Sequence, residues 1–137
     1  MRFNYTEIEA KHSPSERKIR VYRPIIRVDI FYRGNIVGYE ALIDSGADYC
    51  VFHADIANVL GVVLKKGSKR KITGIGGKEI KGYEHAVKMR ISQKVFQTAI
   101  IFSKEIPPNS FGVLGNKGFF NKFAVNFNYK KRFFELL

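Results

Sequence analysis

Short apolar runs, each closed by turn residues, follow one another along most of the chain. Runs rich in Val, Ile, Phe and Tyr read as strands, and the Gly, Pro and Asn between them as turns. That rhythm commits the chain to sheets rather than to a helical bundle. Tyr22 to Tyr32 alternates Arg27 and Asp29 with Ile26, Val28 and Ile30. The turn Arg33-Gly34-Asn35 leads into Ile36 to Ile43, the second arm of a hairpin. Tyr49 to Phe52 is a short strand. Ala54 to Leu60 is the best helix, with Ile56, Val59 and Leu60 on one face and Gly61 placed to stop it. Lys69 to Thr73 and Glu79 to Ile91 flank Gly74, Gly76 and Gly77 as a second hairpin, and Val95 to Phe102 is a further strand. Ile106-Pro107-Pro108-Asn109-Ser110 is a loop. Gly112 to Gly115 is a very short buried segment, followed by a helical turn at Asn116 to Lys122. Phe123 to Phe127 and Arg132 to Leu137 close the chain as a hairpin around Asn128-Tyr129-Lys130. These elements predict a small, mainly β domain with one or two short helices.

The chain has 137 residues, the size of one domain. A chain of that length buries about two thirds of its unfolded surface, enough for a core without staples. Hydrophobic residues make up 45% and charged residues 26%, which excludes a disordered chain. Cys50 is the one cysteine, so no intrachain disulfide forms and a reducing interior is expected. The first twenty residues, through Ser13, Glu16 and Arg17, lack the apolar run of a signal peptide. The longest mostly apolar stretch, Val95 to Phe102, is too short to span a bilayer. The expectation is a cytoplasmic protein without membrane contact.

Charge is divided unevenly. The net charge is +12. Residues 34 to 64 contain no Lys or Arg but four carboxylates, Glu40, Asp44, Asp48 and Asp55. Residues 65 to 94 carry ten basic and two acidic side chains. Burial alone excludes Lys and Arg from core strands. A carboxylate site does the same, and the motif inside the segment decides between the two.

That motif is Ala41-Leu42-Ile43-Asp44-Ser45-Gly46-Ala47-Asp48. Three apolar residues run into an aspartate, then a small hydroxyl residue and a glycine. A carboxylate at the end of a buried strand is costly unless it is hydrogen-bonded or functional. Gly46 permits a sharp turn that brings backbone amides close to that carboxylate. Taken alone, Asp-Ser-Gly reads as an ordinary turn.

In context the sequence resembles the retropepsin-like aspartic proteases, the single-domain type related to retroviral proteases. Asp44-Ser45-Gly46-Ala47 after a hydrophobic strand is similar to the family's Asp-Thr/Ser-Gly-Ala. Gly74-Ile75-Gly76-Gly77 resembles the glycine-rich flap hairpin that follows it. Val113-Leu114-Gly115 resembles the apolar-apolar-Gly segment beneath the active-site loop. The helix ending in Leu60-Gly61, and the tail from Gly118-Phe119-Phe120 through Phe127 to Glu135-Leu136, resemble small bacterial and archaeal members. The resemblance covers residues 19 to 137 and leaves residues 1 to 18 as an N-terminal extension or extra strand. Two departures stand out. The flap is flanked by Lys65, Lys66, Lys69, Arg70, Lys71, Lys78 and Lys81, where the family's hairpin is more apolar. Retroviral members often place Arg after the C-terminal motif glycine to support the aspartate at the Asp48 position, whereas this chain has Asn116 and then Lys117.

The resemblance implies a closed acid-protease β-barrel and the hydrolysis of peptide bonds. Such chemistry needs two carboxylates about one water apart, one ionised and one protonated. This chain has one Asp-Ser-Gly, so the family's two-fold homodimer would set Asp44 beside Asp44 of its partner. Ser45 would bond across the dimer, with Gly46 and Ala47 completing the loop. Asp48 and the flap residues Gly74, Ile75, Gly76 and Gly77 would bind a protein or peptide substrate. Val113, Leu114 and Gly115 would lie beneath the site. Neither cofactor nor metal is implied. The apolar end Phe133-Phe134-Glu135-Leu136-Leu137 reads equally as a dimer-interface strand or as an intrachain core strand.

Other readings weigh less. Aromatics reach 14%, and with the basic segment they suggest nucleic-acid binding, but no RNA- or DNA-binding motif is present. The lysines are read first as a solvated face, and secondly as a means of steering acidic peptides to the site. A protease-like dimer that binds peptides without cutting them shares the same fold. Cys50 and His53 lack the partners of a thiol nucleophile or a metal site, and Ser45 is not in a Gly-x-Ser-x-Gly elbow.

Overall fold

The computed structural model describes residues 1–10, 14 and 17–137. Residues 11–13, 15 and 16, including His12, Ser13 and Glu16, lie outside the described residues. The strands are β1 (Arg2–Asn4), β2 (Thr6–Ala10), β3 (Ile19–Arg23), β4 (Ile25–Tyr32), β5 (Asn35–Ile43), β6 (Val51–His53), β7 (Ser68–Thr73), β8 (Glu79–Ile91), β9 (Lys94–Ser103), β10 (Gly112–Leu114), β11 (Val125–Asn128) and β12 (Phe133–Leu136). The helix α1 spans Ala54–Leu60.

Six strands form a closed ring. β4 pairs with β5, β5 with β10, β10 with β6, β6 with β9, β9 with β8, and β8 returns to β4. The closing rungs are Asp29↔Arg90, Ile30↔Met89 and Phe31↔Lys88. Alternation supplies the inside: Val28, Ile30, Ala41, Phe52, Met89, Ile91, Ile100, Phe102 and Leu114 are all fully buried. Arg27, between the buried Ile26 and Val28, is exposed. The β4–β5 hairpin turns on Arg33 and Gly34, both at positive φ, the geometry a two-residue hairpin loop requires. The mainly β, ring-closed architecture matches the sequence reading.

Several boundaries shift. The run from Tyr22 to Tyr32 is two strands, because Pro24 has no N–H to continue a ladder. β3 pairs with β2, while β4 pairs with β5, and the Pro24 carbonyl accepts the Ile43 N–H at 2.9 Å. In α1 the buried residues are Ala54, Ile56, Ala57 and Leu60, whereas Val59 is 67% exposed. Ala57 therefore takes the core-facing place that the sequence assigned to Val59. His53 caps the helix by accepting the Asp55 N–H, and Gly61 ends it at φ 77°. Asn116 to Lys122 forms consecutive hydrogen-bonded turns, with Phe120 N–H reaching back to Gly115 and Lys122 N–H to Phe119.

The termini build a second sheet in the order β1-β12-β11. β12 is its centre, with Phe134 and Leu136 buried. Of the two readings of the apolar C-terminal strand, the structure has the intrachain one. Phe134 packs against Phe3, Tyr5 and Phe127, with ring centroids 5.5, 5.6 and 6.4 Å away. Among the described residues no helix is long and apolar enough to cross a membrane. Phe134→Ala removes the ring that all three strands share and should cost about 3–5 kcal/mol. Denaturant unfolding checks this; a loss below ~1 kcal/mol would contradict a core role for β12.

Candidate active site

Asp44 stands where β5 leaves the ring. β10 runs parallel to β5, pairing Gly112↔Ala41, Val113↔Leu42 and Leu114↔Ile43. The other side of β10 meets β6 at Val113↔Val51. The segment from Asp44 to Cys50 is therefore a loop joining two strands that are separated by a third. The Asp44 N–H donates to the Leu114 carbonyl at 3.0 Å, which continues the β5–β10 ladder by one residue.

The loop folds back on its own aspartate. Asp44 Oδ1 accepts the Gly46 N–H at 2.9 Å, and the Ala47 N–H reaches the Asp44 carbonyl at 3.2 Å. Asp44 is half-buried, while Ser45, Gly46 and Asp48 are exposed. Beyond β10 the chain grips the loop from below. Asn116 N–H donates to the Ala47 carbonyl and Lys117 N–H to the Asp48 carbonyl, both at 2.8 Å. Gly115 makes this approach possible: a Cβ there would overlap the Tyr49 carbonyl oxygen and lie 2.7 Å from that of Ala47.

Asp48 forms no ion pair among the described residues. The Lys117 ammonium sits instead over the Tyr49 ring, 4.9 Å from its centroid. The backbone bonds of Asn116 and Lys117 thus hold the loop, with no ion pair to Asp48 among the described residues.

A cleft of about 800 Å³ opens above Asp44. Its floor is Asp44, Gly46, Ala47, Asp48, Tyr49, Val51 and Val113, and its roof is Ile72, Thr73, Gly74, Ile75 and Ile80 of the β7–β8 hairpin. The roof ends in a tip where Gly76 and Gly77 have φ 85° and 77° and Ile75 is fully exposed. Ile106, Pro107, Ser110 and Phe111 form a side wall. The Tyr39 hydroxyl pins that wall by donating to the Ser110 carbonyl at 2.8 Å.

The structure thus brings Asp44, Gly46, Ala47, Asp48, Gly74, Ile75 and Val113 to one cleft. Ser45, Gly76 and Gly77 lie outside its lining, and Leu114 and Gly115 are buried beneath it. The sequence reading missed Tyr49, Val51, Ile72, Thr73, Ile80 and the side wall as lining residues. Ile72 and Ile80 were legible, because they sit symmetrically about the glycine tip and pair in register. The side wall was not, since it arrives from far along the chain.

In structure the chain is similar to a retropepsin-like aspartic protease from Rickettsia conorii, at 19% identity over 85% of this chain and 99% of that one, with a TM-score of 0.58. It is also similar to EIAV protease complexed with the inhibitor HBY-793, at 23% identity over 78% of this chain and 88% of that one, with a TM-score of 0.53. The fold is the retropepsin fold. No family model and no curated protein sequence matches the chain.

Cys50 lies just below the loop, and burial pushes its thiol up to about 11, against a smaller opposing effect of a Gly115 backbone hydrogen bond. A raised thiol pKa keeps the proton on through neutral and mildly alkaline pH, so Cys50 is inert there. Native protein should resist alkylation at pH 8 and react on unfolding; mass spectrometry reads both, and rapid native labelling would contradict the burial. Gly115→Ala should destabilise the fold by about 1–3 kcal/mol through overpacking against the Tyr49 carbonyl. An unchanged melting temperature would show that the loop does not rest on this residue.

Proposed function

We propose that the chain is an aspartic endopeptidase that works as a homodimer, its acid–base pair formed by Asp44 from each copy. The observation that carries this reading is the cleft. Asp44 sits on its floor beneath a glycine-tipped hairpin, in a retropepsin fold, and the chain has one Asp-Ser-Gly. Two carboxylates in contact cannot easily both ionise, so the pair shares one proton. The ionised carboxylate takes a proton from water, whose oxygen attacks the scissile carbonyl carbon. The protonated one gives its proton to the carbonyl oxygen. The carboxyl that took water's proton then gives it to the nitrogen of the tetrahedral diol, the other carboxylate takes a proton from a diol hydroxyl, and the C–N bond breaks to leave an acid and an amine.

The remaining roles are those that the family resemblance implies. The Ser45 hydroxyl ties the two loops together across the dimer axis. Gly46 and Ala47 hold Asp44 in its turn, and Val113, Leu114 and Gly115 support that turn from below. Asp48 and the roof residues Gly74 and Ile75 bind an extended peptide as a strand, with Gly76 and Gly77 letting the roof act as a flap. A buried free thiol at Cys50 favours a reducing, cytoplasmic setting.

A second reading, a dimer that binds peptides without cutting them, draws on Asn116 standing in place of the retroviral arginine. Asp44→Asn separates the two. Asparagine keeps an oxygen to accept the Gly46 N–H, so folding should be unchanged while cleavage of a peptide library falls by about a thousandfold or more. Wild-type protein that cleaves nothing between acidic and neutral pH would favour the binding reading.

A further inference from the structure

The roof hairpin carries more positive charge than covering a cleft requires. Ile72 and Ile80 stand opposite one another and face the cleft. On the other face Lys71 stands directly opposite Lys81, with Lys69 two residues along. All three lysines are exposed, and none forms an ion pair among the described residues. Like charges directly opposite weaken a hairpin. The nearby carboxylates are otherwise placed: Glu84 pairs with Arg70 at 3.1 Å, Glu105 accepts the Lys81 backbone N–H, and Glu79 stands opposite Thr73.

Among the described residues β7 is also the free edge of the large sheet, bonded to β8 alone. The ladder fixes which backbone groups are spare. Gly74 N–H bonds to the Lys78 carbonyl, and in an antiparallel pair bonded and non-bonded positions alternate from there. Ile72↔Ile80 and Arg70↔Gly82 are then bonded pairs. The N–H and C=O groups of Lys69, Lys71 and Thr73 point away from β8, towards open edge. A depression of about 450 Å³ lies beside them, among Lys69, Arg70, Lys71, Lys81, Gly82 and Tyr83.

We propose that this edge is a docking site for an acidic, extended polypeptide segment, which adds as a strand to β7 with its carboxylates against Lys69, Lys71 and Lys81. A bare edge can pair with an incoming strand, and lysines on it repel basic strands and attract acidic ones. The open backbone groups favour a polypeptide over a nucleic acid, which has no matching main-chain ladder. The site lies on the face away from Asp44 and does not depend on the protease reading.

The test uses full-length Asp44→Asn protein, so that no probe is consumed, and a labelled peptide of alternating Glu and Val. Anisotropy should show binding that weakens as salt rises. Lys69→Glu with Lys71→Glu should weaken it about tenfold or more. These variants should fold, because Lys71→Glu sets an opposite charge across from Lys81 in place of a like one. The same peptide N-methylated at alternate residues should bind poorly, and amide exchange at Lys69, Lys71 and Thr73 should slow when the unmodified peptide is bound. Equal binding of the N-methylated peptide would overturn strand addition. So would tighter binding of a single-stranded RNA of equal charge, protection confined to the Asp44 loop, or no binding at all.

Discussion

The insertion of β10 between β5 and β6 is the constraint on which the rest of the structure depends. Three residues, Gly112, Val113 and Leu114, hold apart a pair of strands that the chain would otherwise join by a tight hairpin. The segment from Asp44 to Cys50 must therefore arch over the end of β10. The carbonyls of Ala47, Asp48 and Tyr49 then point at the chain beyond β10, and Gly115, Asn116 and Lys117 meet them at backbone distance. Among the described residues, the half-buried aspartate is held by main-chain groups of its neighbours: the Gly46 N–H donates to its carboxylate, and Leu114 and Ala47 bond to its backbone.

Everything else is arranged around that arch. The ring closes beneath it through β9 and β8, and β8 outgrows the ring to carry β7 back over the cleft. Thirteen residues of β8 serve two purposes: its later half supplies Val87, Met89 and Ile91 to the core, and its earlier half is the roof. The charge division follows. Residues 34 to 64 hold the strands and helix that line the core and the loop, where lysine has no place, whereas the roof hairpin projects into solvent on an open edge.

The ring was legible because strand alternation is local: Ile26, Val28 and Ile30 announce their face without help from elsewhere. The arch was legible through glycine, since Gly46 and Gly115 mark a sharp turn and a close backbone approach. Neither signal is specific alone, and their order along the chain supplied the rest. What stayed hidden depends on distant segments. Pro24 divides a run that composition joins, because the partner of β3 is β2 and not β5. Val59 fits the helix's apolar stripe but faces solvent, because the core beneath a seven-residue helix is filled by Ile56, Ala57 and Leu60. The side wall at Ile106 to Phe111 is fixed by the Tyr39 hydroxyl, a contact spanning 71 residues that no local pattern encodes.

The terminal sheet bears on how two copies meet. β12 has its own chain on both sides, β1 and β11, so it has no free edge for a partner's strand. In the proposed homodimer, assembly would fall to the Asp44 loops and the outer edges, and one catalytic centre would take an aspartate from each of two chains. Mixing wild-type and Asp44→Asn protein, allowing exchange, and measuring peptidase activity at fixed total concentration tests this most directly. If both aspartates are needed, activity follows the square of the wild-type fraction and an equal mixture keeps about a quarter. Activity that falls in proportion, leaving about half, would mean that each chain works alone.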